Sequence, residues 1–183
     1  MEKSLRVENI LKRSGAAVMG VGALALFYNG SSSEAVSSIG PRTKSIGCVA
    51  LNALPDSACT PGAVFGGVTK QQICIRRYSK TVRNVPASKK GRVYSEYGIT
   101  RRSPGEYEVD HLISLELGGS NDIANLWPEA ATPIPGFHQK DQEENYLHKE
   151  VCKGLIPLAQ AQEQIASDWL KLFQSDKQSL GVG

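Results

Sequence analysis

Residues 107–129 read Y-E-V-D-H-L-I-S-L-E-L-G-G-S-N-D-I-A-N-L-W-P-E. The run 107–115 mixes apolar and polar residues in near alternation, which predicts a strand carrying Asp110 and His111 side by side. G-G-S-N-D at 118–122 predicts a loop, and Asn125, Leu126 and Trp127 predict a short return strand that Pro128 stops. Working outward, residues 139–153 predict a helix with Gly154 as its C-terminal stop. A second helix is expected from Pro157, a residue suited to a first helical position. Its Leu158, Ala161, Ile165, Trp169 and Leu172 recur at helical spacing and form a packing stripe. Upstream, residues 73–78 predict a strand. The fold class that follows is α+β: a small mixed domain with a strand–loop–strand–helix core, short strands before it and two C-terminal helices.

A chain of 183 residues buries one core, so one domain with appendages is expected. Residues 1–35 have the order of an export signal. Lys3, Arg6, Lys12 and Arg13 precede an uncharged run at 14–28, and small polar residues follow. The run is shorter than the ~20 residues of a membrane span, with an uncleaved anchor at 14–28 as the alternative. Residues 36–60 are expected to be a linker and loop-rich edge, 61–175 the domain and 176–183 a tail. The four cysteines all follow residue 35, and an even count in an exported chain favours disulfides. Three connectivities are possible; Cys74 with Cys152 and Cys48 with Cys59 is the expected one. A secreted, periplasmic or cell-surface location follows.

The net charge of +3 hides a polarised chain. Lys70, Arg76, Arg77, Lys80, Arg83, Lys89, Lys90, Arg92, Arg101 and Arg102 face a single acid, Glu96, over 70–102; after residue 102 there are five lysines against thirteen acids. A basic stretch of this kind suits a phosphate backbone, so Arg76, Arg77, Lys80, Arg83, Lys89, Lys90, Arg92, Arg101 and Arg102 are the candidate nucleic-acid contacts. A solvated basic face without a partner is the plainer reading. Tyr78, Tyr94 and Tyr97 lie among these charges and are expected to pack rather than stack on bases.

Asp and His beside a Gly-rich loop suit phosphodiester hydrolysis. An imidazole with an ordinary pKa near ~6.5 is a natural base for water, and a carboxylate is a hard ligand for Mg²⁺. Neighbouring strand residues diverge, so the pair serves one phosphate only if the strand twists or ends there.

With these residues in view, the stretch resembles the HNH, or ββα-metal, endonuclease family, in an exported bacterial branch. The resemblance continues through K-D-Q-E-E-N-Y-L-H-K-E-V-C at 140–152 and A-Q-x-x-I-A-x-D-W at 161–169, so it covers roughly residues 60–173. It implies His111 as general base, Asp110 as first metal ligand, and Asn125 as the amide that holds the loop and orients the base. A last ligand is implied on the following helix. Pro133, Pro135 and Gly136 push that helix back, leaving His148, Asn145 and Glu144 as candidates, with His148 first and Asn145 next. The implied activity is cleavage of DNA to 5′-phosphate and 3′-hydroxyl products, with RNA left open as a substrate, and contacts from the basic stretch to the phosphate backbone would give little sequence preference. The implied cofactor is one divalent cation, Mg²⁺ first and Mn²⁺, Ca²⁺ or Zn²⁺ after it, with no small-molecule cofactor. The chain is expected to be a monomer, touching a membrane only through its N-terminal segment. The alternative is a nucleic-acid-binding or uptake module on the same ββα frame that does not cut.

Overall fold

The computed structural model describes residues 36–181, within a unit spanning 33–183. The expected signal or anchor at 1–35 lies outside the described residues, and among these no helix is long and apolar enough to cross a membrane. The architecture is α+β, as expected. β1 (Val36–Ser38) pairs antiparallel with β2 (Ala63–Phe65), so the 36–60 stretch is tied back onto the domain. A disulfide between Cys48 and Cys59 closes the loop between them.

Three short helices follow: α1 (Lys70–Ile73), α2 (Tyr78–Val82) and α3 (Ala87–Glu96). The strand expected over 73–78 does not form. Thr69 and Gln72 make a reciprocal capping box that starts a helical turn, and Ile73 drops into the core at its end. β3 (Tyr107–His111) then pairs antiparallel with β4 (Leu126–Ala130), joining Asp110 to Trp127 and His111 to Leu126. β3 is shorter than expected because Leu115–Leu117 coils into a 3-10 turn. Asn125 ends a second such turn, and β4 runs through Pro128 rather than stopping there.

α4 (Phe137–Lys153) and α5 (Leu158–Leu180) close the domain. Gly154 ends α4 in the left-handed region at φ 82°, as the sequence predicts, while Pro157 caps α5 from just outside it. α5 runs past residue 175, through the stretch read as a tail. Its chain breaks helical geometry at Asp168, whose carboxylate accepts from Lys171 N at 2.9 Å and so restarts the helix. Phe173, one turn beyond Trp169, is the buried member of the stripe with Ala161, Ile165 and Trp169, rather than Leu172. These pack on Leu147 and Val151 of α4 and on Ile73, Ile113 and Leu117. The Cys74–Cys152 disulfide fastens the end of α4 to the turn after α1. Two disulfides fit an oxidising compartment.

One polar pair lies inside this helix packing. Glu143 of α4 is fully buried, and no donor reaches either carboxyl oxygen. Two carboxyls can meet only over a proton, and burial, then the nearby charge of Asp176 and a hydrogen bond to it, push the Glu143 carboxyl up to about 8. An acid raised on folding lends stability that is full below its ordinary value and drains as pH rises through the folded value. Glu143→Gln keeps a donor toward Asp176 and should therefore stabilise the fold near pH 8 by roughly 2 kcal/mol, with little effect near pH 5. Thermal melts of both chains across that range measure the difference.

Candidate active site

The loop between β3 and β4 is built around one side chain. Asn125 is fully buried, and its Oδ1 accepts from Ile113 N at 2.9 Å and Ala63 N at 3.3 Å. Its Nδ2 donates to Ile113 O and Ser120 O, both at 2.9 Å. The amide thus staples the loop across its waist. Gly119 permits the approach: a Cβ there would lie 1.7 Å from Ile113 O and 2.9 Å from the Asn125 amide. Gly118 supplies the left-handed turn at φ 77°. Asn125→Ala strips partners from buried backbone groups and is expected to cost about 4 kcal/mol in urea unfolding.

Strand alternation then sorts the neighbours. Asp110 shares a face of the hairpin with Glu108 and with Glu129, its diagonal neighbour across the register. His111 falls on the other face. β3 ends at His111, so the two side chains part company there, as the geometry of a strand demands.

On the Asp110 face lies Lys140 of α4, a lysine only 1% exposed. Its ammonium donates to Asp110 Oδ2 at 2.6 Å, to the carbonyl of His111 at 2.8 Å and to Glu144 Oε1. All three ammonium protons are used. Burial opposes ionisation of Asp110, yet the Lys140 ammonium holds its carboxyl below the usual range. Glu129 is fully buried with no donor on either oxygen. Burial, only partly offset by Lys140, together with the charge of Asp110 and a hydrogen bond to it, raises Glu129 well above its ordinary value. Of the two carboxyls, Asp110 is therefore the one held toward its ionised form and Glu129 the one held toward its protonated form. Burial also raises Glu144, against the pull of Lys140.

On the other face the His111 ring is buried, with Nε2 3.2 Å from Asn121 Oδ1. The Asn121 amide donates to Val82 O at 2.7 Å and its Oδ1 accepts from Asn84 N at 3.1 Å, which fixes its orientation. Nε2 is therefore the protonated nitrogen of the neutral ring, and Nδ1 carries the lone pair. Burial, outweighing the pull of Asp110 and the bond to Asn121, pushes the imidazole down to about 4.

His148 and Asn145 are not at this centre. His148 lies about 12 Å along the helix from Lys140. Its Nε2 donates to Ile73 O at 3.1 Å and lies 3.4 Å from Cys152 Sγ. Asn145 is exposed, turned away from the hairpin, and its amide donates back to Asp141 O. Of the helix candidates only Glu144 meets Asp110, and it does so through Lys140. Lys140 itself escaped the sequence reading because a lysine is rarely this buried. Glu129 escaped it because β4 was ended at Pro128; carrying period-two alternation one pair further places it beside Asp110.

The donor set does not fit the divalent ion that the resemblance implies. The oxygens of Asp110 and Glu144 that would receive it already hold an ammonium. Among the described residues, Cys74, His148 and Cys152 do bring three ligand atoms within 4.8 Å of one another, but both sulfurs are spent in a disulfide.

The basic stretch divides by what its members touch. Lys89 donates to Asn121 O at 2.6 Å and Arg92 pairs with buried Glu96, which Arg42 also holds. Arg102 stands over the Tyr94 ring, 3.8 Å from its centroid, and lines an open groove with Arg101 and Tyr107. Arg76, Arg77, Lys80, Arg83 and Lys90 are exposed. Tyr97 is half-buried, its hydroxyl 2.8 Å from Thr60 Oγ1. No family model matches the chain, and no curated protein and no solved structure matches it significantly.

Proposed function

We propose that the chain is an exported nuclease that hydrolyses phosphodiester bonds of DNA through His111, on a strand–loop–strand–helix frame of the ββα type. The observation that carries this reading is the cost of the centre itself. Asp110, Glu129, Lys140 and Glu144 are gathered on one face of the hairpin, with a buried neutral His111 at the same strand end on the other. Buried charge of this kind adds little to stability and gathers where chemistry is done.

In the proposed reaction Nδ1 of His111 takes a proton from water. The resulting hydroxide oxygen bonds to phosphorus, the bond from phosphorus to the 3′ oxygen breaks, and solvent protonates the leaving oxygen. Asn121 positions the ring, and Asn125 fixes the loop that carries Asn121. The reading requires the turn at 82–84, which holds Asn121 over the ring, to yield when substrate arrives. Arg83 in that turn and Lys80 before it supply exposed charge for the phosphate backbone, which gives affinity without sequence preference.

Full-length protein incubated with supercoiled plasmid should convert it to nicked and linear forms, and His111→Ala should not. Because the imidazole is only 1% exposed, a second reading has support: a module that binds nucleic acid and does not cut it. DNA binding that weakens steeply with added salt, with plasmid left intact, is its signature.

A further inference from the structure

We propose that the ammonium of Lys140 is the resident cation of this centre and keeps a divalent ion out of it. The proposal takes its functional meaning from the nuclease reading, but the placement of the charge stands on geometry alone. The shell around Nζ consists of two carboxylates and a main-chain carbonyl, from Asp110, Glu144 and His111. Those are the hard oxygen donors that Mg²⁺ or Mn²⁺ takes. Glu129, fully buried and with neither oxygen reached by a donor, leans on Asp110 from the strand side. The chain has thus assembled an oxygen-rich pocket and filled it with its own side chain.

Exclusion follows from distance. A divalent ion bonds its oxygens at roughly 2.0–2.6 Å, while Nζ stands 2.6 Å from Asp110 Oδ2. An ion bonded to that oxygen and to Glu144 would occupy the ammonium's own position. Lys140 cannot simply withdraw, because its stem is buried and its three protons are all engaged. The lysine does for Asp110 what a metal would do: it neutralises the carboxylate and fixes its direction beside His111. It is a positioning residue. Its fixed charge makes the centre independent of divalent ions.

The test is Mn²⁺ titration of the full-length chain followed by electron paramagnetic resonance, with melting temperatures in EDTA, Mg²⁺ and Mn²⁺. Parent, Lys140→Met and Lys140→Met/Asp110→Asn are compared. The parent is expected to leave Mn²⁺ free and to melt alike in every condition. Lys140→Met should bind one Mn²⁺ more tightly than the parent by roughly tenfold or more, and its melting temperature should climb with Mn²⁺ concentration. Asp110→Asn should cancel both gains. Stoichiometric Mn²⁺ on the parent, lost on Asp110→Asn, overturns the proposal. So does a Lys140→Met chain that Mn²⁺ neither binds nor stabilises, whether or not it is folded at the start. Plasmid cleavage scored alongside judges the nuclease reading separately, since ion exclusion is read without it. Cleavage that persists in EDTA is the result expected when both hold.

Discussion

Plasmid cleavage by His111→Ala should fall by about 10³-fold, the middle of the range for loss of a general base. The side chain makes one hydrogen bond, to Asn121, and Asn121 Oδ1 keeps Asn84 N as a donor after the ring is gone. The loop is held independently by Asn125. The variant should therefore remain folded, and circular dichroism checks that. The pH profile of the parent gives a second measure. With the imidazole pushed down to about 4 by burial, the base stays neutral well below its ordinary range. The acid limb of kcat/KM should lie below pH 5 rather than near the free-imidazole value of about 6.5. The same depression has a stability consequence of defined sign. The unfolded chain takes up the proton first as pH falls, so stability is lost between about pH 6.5 and the folded value. An activity curve centred on the ordinary imidazole value would mean that the working base is exposed or is another group.

A large stability effect should come from Lys140→Met. The substitution preserves most of the buried stem and removes only the charge, leaving Asp110 and Glu144 without their cation. Breaking a buried pair from one side costs about 3–5 kcal/mol, a large share of the stability of a domain this size. In the variant the orphaned carboxyls titrate above their ordinary values, so its deficit should shrink as pH falls and they take up protons. Urea unfolding at neutral and at mildly acidic pH measures both the loss and its direction with pH. A deficit that is small and flat with pH would show that the ammonium matters less than its placement implies.

The parts of this molecule that were legible in its sequence are those written in local chemistry. Gly118 and Gly119 announce the loop because close backbone approach admits nothing larger, and Asn125 announces the staple. The helices show in their apolar spacing, and the expected disulfide pairs are the ones that form. What escaped the reading depends on which elements meet. Helix spacing places residues 140, 144 and 148 on one stripe, but it does not say how far along the helix the hairpin crosses. The crossing falls at Lys140, and His148 is left against the Cys74–Cys152 bridge. The basic stretch shows the same limit, since composition cannot separate Lys89, spent on Asn121, from exposed Arg83. Residues 73–78 look β-prone by composition, and the Thr69–Gln72 cap overrides that preference.

Pro128 sits opposite Val109 in the hairpin. Bonding between the strands alternates, and the Leu112 amide donates to Asn125 O at 2.8 Å. Counting back from there, Asp110 and Trp127 are a bonded pair, and the Val109 and Pro128 pair is not. The amide proton that proline lacks would therefore have pointed outward, away from β3. Pro128 is itself buried, and Thr60 Oγ1 donates to Leu126 O at 3.1 Å on that same margin, so the missing proton leaves no unpaired donor under the packing. A residue with no N–H thus suits a strand margin packed under protein, where a donor would have needed a partner.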